Sequence, residues 1–166
     1  GQVSLNSVDV GSGILWRLED TQDVWLEGAS NKMNTLDQLL VAKATGFPEK
    51  RFLVQFEDIP REKCSHVLQA KMYIYFYRSA RASWHTAIQA PMIARPLKVH
   101  QMKVKWLENQ ATCVNRLTSV PWNAQYVALD GTDAEPNAQD TVTWFPGQPS
   151  SYMEFDVIEA ATQWIQ

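Results

Sequence analysis

A chain of 166 residues with 45% hydrophobic and 20% charged residues has the size of one domain, at roughly 100–200 residues each. Folding at that length buries about 68–70% of the extended chain's surface, enough for a core without metal or crosslinks. The composition excludes a disordered chain, no apolar run of 18 residues exists to span a membrane, and a net charge of −3 argues against general nucleic-acid binding.

Seven Trp, five Tyr and six Phe are more than a core of this size needs, so some are expected to face a ligand. Charge is unevenly spread. Residues 43–105 hold 12 basic and 4 acidic side chains, and no Lys or Arg follows Arg116. The start, Gly1-Gln2-Val3, has neither Met nor a signal-peptide apolar region. It is expected of a domain cut from a longer protein or of one whose leader has been removed.

The dominant hydrophobic period is two. A first strand is expected at 3–10. In the next, Val24 and Leu26 alternate with Asp23, Trp25 and Glu27. A further strand is expected at 38–43. Then Phe52, Val54 and Phe56 alternate with Leu53, Gln55 and Glu57. Ala70, Met72, Ile74 and Phe76 alternate with Lys71, Tyr73, Tyr75 and Tyr77. The stretch 79–96 has no clean period and reads as a surface loop with Trp84 and His85 near its middle. Leu97 and Val99 share a face, but Met102, Val104 and Trp106 have slipped by one, which predicts a β-bulge near His100 and Gln101. Strands are expected at 140–145 and 152–157. A short helix, capped by Asp156 with Ile158, Ala161 and Trp164 or Ile165 on one side, ends the chain. Gly- and Pro-rich turns separate these elements, as in an all-β, jelly-roll-like sandwich of antiparallel strands filling one domain, 1–166.

Catalytic signatures are absent: no G-x-S-x-G, H-E-x-x-H, G-x-G-x-x-G or Walker loop occurs. His66, His85 and His100 lack metal spacing. The expectation is therefore a non-enzyme. Cys64 and Cys113 cannot hold zinc alone; they are either one disulfide or two buried thiols. Asp130, Asp133 and Glu135 in one acidic loop offer the hard oxygens that a structural calcium site takes, with Asp20 or Asp23 as helpers; a polar turn is the competing reading. Two surfaces suit a sugar, which needs aromatic faces for stacking and polar groups for its hydroxyls. One is the stripe of Tyr73, Tyr75 and Tyr77 with Lys71 beside it and Arg51 near. The other is Trp25 between Asp23 and Glu27, approached by Trp84. The stripe is preferred, because rings about 6.6–6.8 Å apart along a strand span more than one sugar unit. Its basic neighbours favour an acidic glycan. The competing account buries the stripe under loops.

Three segments then suggest a family. Lys50-Arg51-Phe52-Leu53-Val54-Gln55-Phe56-Glu57-Asp58-Ile59-Pro60 followed by Gln69-Ala70-Lys71-Met72-Tyr73-Ile74-Tyr75 is the first. Trp106-Leu107-Glu108-Asn109-Gln110-Ala111-Thr112-Cys113-Val114-Asn115-Arg116, with Trp122 after it, resembles W-x-E-x-x-A-T-W-N-x-R and is the most specific. Tyr152-Met153-Glu154-Phe155-Asp156-Val157 with Trp164 completes the set. Together they resemble DNRLRE-type domains, which are related to carbohydrate-binding modules. The resemblance spans about 20–164, although the string that names the family is absent and Cys113 stands where the family carries Trp. It implies a non-catalytic carbohydrate-binding module of an extracellular or cell-surface protein; if the domain is extracellular, Cys64 and Cys113, which replaces the family's Trp, are expected to form a disulfide. A second resemblance is to prodomains of TGF-β-like growth factors, which also read F-x-x-x-x-I-P … A-x-L-x-x-F and end in F-D-V-T-x-x-V-x-x-W. Both resemblances imply an extracellular, non-catalytic β-sandwich; the alternative function is a structural or adhesion domain whose partner is another extracellular protein. Trp16, Trp106 and Trp164 are expected to be structural.

Overall fold

A computed structural model describes residues 6–9, 13–26, 32–33, 51–76, 94–145 and 148–166. In chain order the described strands are β1 (Asn6–Asp9), β2 (Ile14–Arg17), β3 (Thr21–Leu26), β4 (Lys32–Met33), β5 (Arg51–Phe56), β6 (Lys71–Phe76), β7 (Arg95–Val99), β8 (Asn115–Leu117), β9 (Val120–Pro121), β10 (Asp140–Trp144) and β11 (Ser151–Asp156). A 3-10 turn, Arg61–Lys63, precedes β6, and one helix, α1 (Ile158–Trp164), follows β11. The chain is β-rich with small antiparallel sheets and a short C-terminal helix, as the period-two pattern implies. The strand expected at 38–43, together with Tyr77, Trp84, His85 and Glu27, lies outside the described residues.

The chain falls into two compact units, residues 1–63 with 102–136 and residues 64–101 with 137–166. In the first, β3 is the centre of a three-stranded sheet, β4-β3-β5. Its last three residues, Val24, Trp25 and Leu26, are all buried, so the strand is covered on both faces there. The core gathers Val24, Leu26, Leu53, Trp106, Ala111, Cys113, Trp122, Val127 and Ala134. Each buried Trp removes about 150–250 Å² from water, a stabilisation of roughly 4–6 kcal/mol.

The W-x-E-x-x-A-T segment owes its spacing to this core. Trp106 is buried, the Glu108 carboxylate accepts the Asp23 amide at 3.1 Å, and Ala111 is fully enclosed. Thr112 Oγ1 accepts the amides of Val114 and Asn115 at 3.2 and 3.0 Å, turning the chain into β8. Trp122 Nε1 donates to the Thr112 carbonyl at 2.8 Å, which satisfies a buried indole. A two-residue turn joins β8 to β9, with Ser119 at φ 60.

Beyond Trp122, Tyr126 and Val127 stand at φ 64 and φ 76. A left-handed β-branched residue costs on the order of 1–3 kcal/mol and persists only where its surroundings fix it. Arg51 supplies one constraint: its Nη1 donates to the carbonyls of Tyr126 and Val127 at 2.9 and 2.7 Å. Asp133 supplies another. Fully enclosed, it accepts the amides of Asn123 and Ala128, each at 2.8 Å, and the Asn123 side-chain amide at 2.6 Å.

In the second unit, β6 pairs with β11 and β7 with β10. Met153 and Phe155 on β11 and Met72 on β6 are buried, whereas Tyr152, Glu154, Asp156, Lys71, Tyr73 and Tyr75 are exposed. Helix α1 begins where Asp156 Oδ1 accepts the Ile158 amide at 3.1 Å, and Gln139 Oε1 accepts that of Ala160 at 3.2 Å. Ala160 and Ala161 are its buried residues. Seven residues do not make a stable helix alone, so these contacts and that small apolar face hold it.

Three expectations change. The period slip at His100 and Gln101 is a strand end, not a bulge: β7 stops at Val99 and the first unit resumes at Met102, which bridges Ala134. Each unit keeps its own phase, so one residue of slip appears where the chain leaves one for the other. The loop expected to run through Pro96 yields earlier, because Arg95 and Pro96 open β7 opposite Trp144 and Thr143. The Cys64–Cys113 disulfide is not formed. Both thiols are free; Cys113 is a small core residue whose sulfur takes a 3.5 Å contact from Gln125 Nε2, and Cys64 is half-buried.

Candidate functional site

The outer face of the β6–β11 ladder carries the site. Period two puts Lys71, Tyr73 and Tyr75 on one face of β6, and Tyr152, Glu154 and Asp156 on the same face of β11. The antiparallel register sets Tyr75 opposite Tyr152, Tyr73 opposite Glu154, and Lys71 opposite Asp156. Tyr73, Tyr75 and Tyr152 are 55%, 53% and 67% exposed. The stripe is therefore an open surface over its described length, not a second packing layer.

The rings are not coplanar. Tyr75 and Tyr152 lie 5.1 Å apart between centroids at 69°, and Tyr73 and Tyr152 lie 6.4 Å apart at 88°. Edge-to-face contacts of this kind fix each ring against its neighbour and contribute about 0.5–1.5 kcal/mol beyond area burial. The result is a fixed aromatic relief, in place of the flat single-strand stripe that alternation implied.

Next to the rings stands a charged row. Tyr73 donates to Glu154 Oε1 at 2.8 Å, and Lys71 Nζ lies 3.5 Å from Glu154 Oε2. The hydrogen bond to Glu154, then desolvation and that carboxylate's charge, hold the Tyr73 phenol above its ordinary value against the opposing pull of Lys71. On β10, Asp140 Oδ2 accepts the Asp156 amide at 2.8 Å. That bond, one from the Thr141 amide and the Lys71 charge hold the Asp140 carboxyl below the usual carboxylate range. Lys71 thus pairs with Glu154, stands opposite Asp156 in the register and helps to lower the Asp140 pKa. Among the described residues the two basic groups expected to favour an acidic ligand are engaged within the protein: Lys71 pairs with Glu154, and Arg51 donates to the Tyr126 and Val127 carbonyls.

Of the second sugar surface, Glu27 and Trp84 lie outside the described residues. Trp25 is buried at the end of β3, because the strand is covered on both faces, so it is core and offers no ring to a ligand. The acidic loop is also differently employed. Asp133 turns inward and accepts three protein donors; Asp130 Oδ1 accepts the Thr132 amide and hydroxyl, which lowers its carboxyl pKa; Glu135 pairs with Lys103 at 3.6 Å. Among the described residues no group of three or more His, Cys, Asp or Glu could hold a metal ion. Asp23, a suggested helper, accepts the Thr21 hydroxyl at 3.4 Å.

Sequence reasoning missed Tyr152, Glu154 and Asp156. The alternation at 152–157 was visible and puts the three on one face. What it could not supply is the partner: only the pairing of β11 with β6 brings that face beside Tyr73 and Tyr75. No family model, curated protein or solved structure matches the chain. Among the described residues no helix is long and apolar enough to cross a membrane.

Proposed function

We propose that the β6–β11 face recognises carbohydrate, and that the chain is a non-catalytic carbohydrate-binding module of an extracellular or cell-surface protein. The observation that carries this reading is the cluster of Tyr73, Tyr75 and Tyr152, each more than half exposed and held by its neighbours. Large aromatic rings are normally buried because water is a poor solvent for them. Three of them exposed together, bordered by hydrogen-bonding groups, mark a binding surface. Stacking on the rings and hydrogen bonds to Glu154, Asp156 and Lys71 are the two contacts a sugar requires. On this reading the antiparallel sheets belong to a jelly-roll-like sandwich related to DNRLRE-type domains. The resemblance of the segment from Trp106 to Arg116 supports that relation.

A glycan array tests the proposal. Selective retention of an oligosaccharide, abolished in Tyr75→Ala with Tyr152→Ala, is the expected result. An array without a hit, alongside capture of a secreted protein through the same tyrosines, would favour the adhesion reading.

A further inference from the structure

We infer that the β6–β11 face selects glycans carrying free amines over acidic or fully neutral ones; the inference rests on the carbohydrate reading of that face. Its charge determines the choice. Among the described residues the face carries one cation, Lys71, whose ammonium lies 3.5 Å from Glu154 and which stands opposite Asp156 in the register; Asp140, which accepts the Asp156 amide, lies within reach of its charge. The described residues of the face therefore hold a net charge of about −2 at neutral pH, from three carboxylates and one ammonium. A uronate or sulfate laid along it meets carboxylates of its own sign. An ammonium meets complementary charge and exposed π-faces together.

Those two features are what ammonium recognition uses. Tyrosine faces attract a cation through the ring quadrupole, and carboxylates accept charge-assisted hydrogen bonds. The ladder arranges them in sequence. The Tyr75–Tyr152 pair, the Tyr73–Glu154 pair and the Lys71–Asp156 pair succeed one another two residues at a time. Each step is about 6.6–6.8 Å along the strands. A sugar ring stacked on Tyr75 and Tyr152 thus places its chain over the carboxylates, where a ring amine finds acceptors. Fixed acceptors favour the amine because they need no rearrangement: Asp156 is held by the Ile158 amide and Asp140 by the Asp156 amide.

The test is calorimetric titration of the full chain at pH 6 with three hexamers of one linkage: β-1,4-glucosamine, its N-acetylated form, and a uronic acid. The inference predicts that the free-amine hexamer binds at least about tenfold more tightly than the N-acetylated one. One charge-assisted contact is sufficient for that ratio. The uronic acid should give no heat. In Glu154→Gln with Asp156→Asn the tenfold gap should close, read as the ratio of the free-amine to the N-acetylated affinity in that variant. The amides retain hydrogen-bond acceptors, so a melting temperature near the parent's confirms that folding is intact. Equal affinity for the amine and acetamide hexamers, or preference for the uronic acid, overturns the inference and leaves the carbohydrate reading standing. Binding to none of the three and none of the array's sugars overturns both. Tighter binding of oligolysine than of the glucosamine hexamer also overturns it, in favour of a basic peptide.

Discussion

The two units use the same residue types in opposite ways. In the first, Trp106, Trp122 and Asp133 point inward, and Asp133 accepts the backbone amides of Asn123 and Ala128 and the Asn123 side-chain amide. In the second, Tyr73, Tyr75, Tyr152, Glu154 and Asp156 point outward from a ladder whose other face is filled by Met72, Met153 and Phe155. An aromatic or acidic residue is thus not a functional signal by type. Its meaning follows from which face of its element it occupies and from whether its polar atoms already have protein partners.

The largest test of that contrast lies in the first unit. Trp106→Ala or Trp122→Ala should cost roughly 3–5 kcal/mol in urea unfolding, because each empties a core site and the latter also removes the indole bond to Thr112. Near-native stability in either would erase the contrast. Asp133→Ala comes next. It leaves the amides of Asn123 and Ala128 without their acceptor, at about 1–3 kcal/mol for each buried group. The loss should be the same in millimolar calcium and in EDTA, since the carboxylate is already occupied by protein donors. A calcium-dependent loss would restore it as a ligand.

How far the sequence could be read follows the same line. Alternation is a local property, so Met153 and Phe155 against Tyr152 and Glu154 were legible, as were the buried Trp106 and the helix after Asp156. Trp25 misled because period two assigns a face but not what covers it. Asp133 misled because an acidic loop has the same letters whether its carboxylate turns outward or inward. The β11 half of the site escaped for a third reason: the site is shared between β6 and β11, 81 residues apart from Tyr73 to Glu154, and no local pattern encodes that pairing.

Smaller effects sharpen the comparison. Arg51→Ala should destabilise by about 1.5–3 kcal/mol, releasing the two left-handed carbonyls at Tyr126 and Val127; a neutral result in thermal unfolding would show that those dihedrals need no clamp. Titration effects are smaller still. The Asp130 and Asp140 carboxyls are held low in the folded chain. Their stabilisation is present above the unfolded value of about 3.9 and fades as pH falls through the folded one. Tyr73 has the opposite sign: its raised phenol contributes below about pH 10 and the contribution is lost as pH rises through the folded value. In Glu154→Gln, ultraviolet titration should show the Tyr73 phenolate forming at lower pH than in the parent. An unchanged curve would mean that Glu154 does not hold that hydroxyl.

The most direct measurement is oligosaccharide binding by the parent chain and by Tyr75→Ala with Tyr152→Ala, with both melting temperatures recorded. The two edge-to-face contacts contribute about 0.5–1.5 kcal/mol each, so the double change should lower the melting temperature by no more than about 12 °C. Lost binding with a shift inside that bound is the predicted result. Binding that survives the removal of both rings, or a fold that collapses without them, would contradict the assignment of the β6–β11 face as the ligand surface.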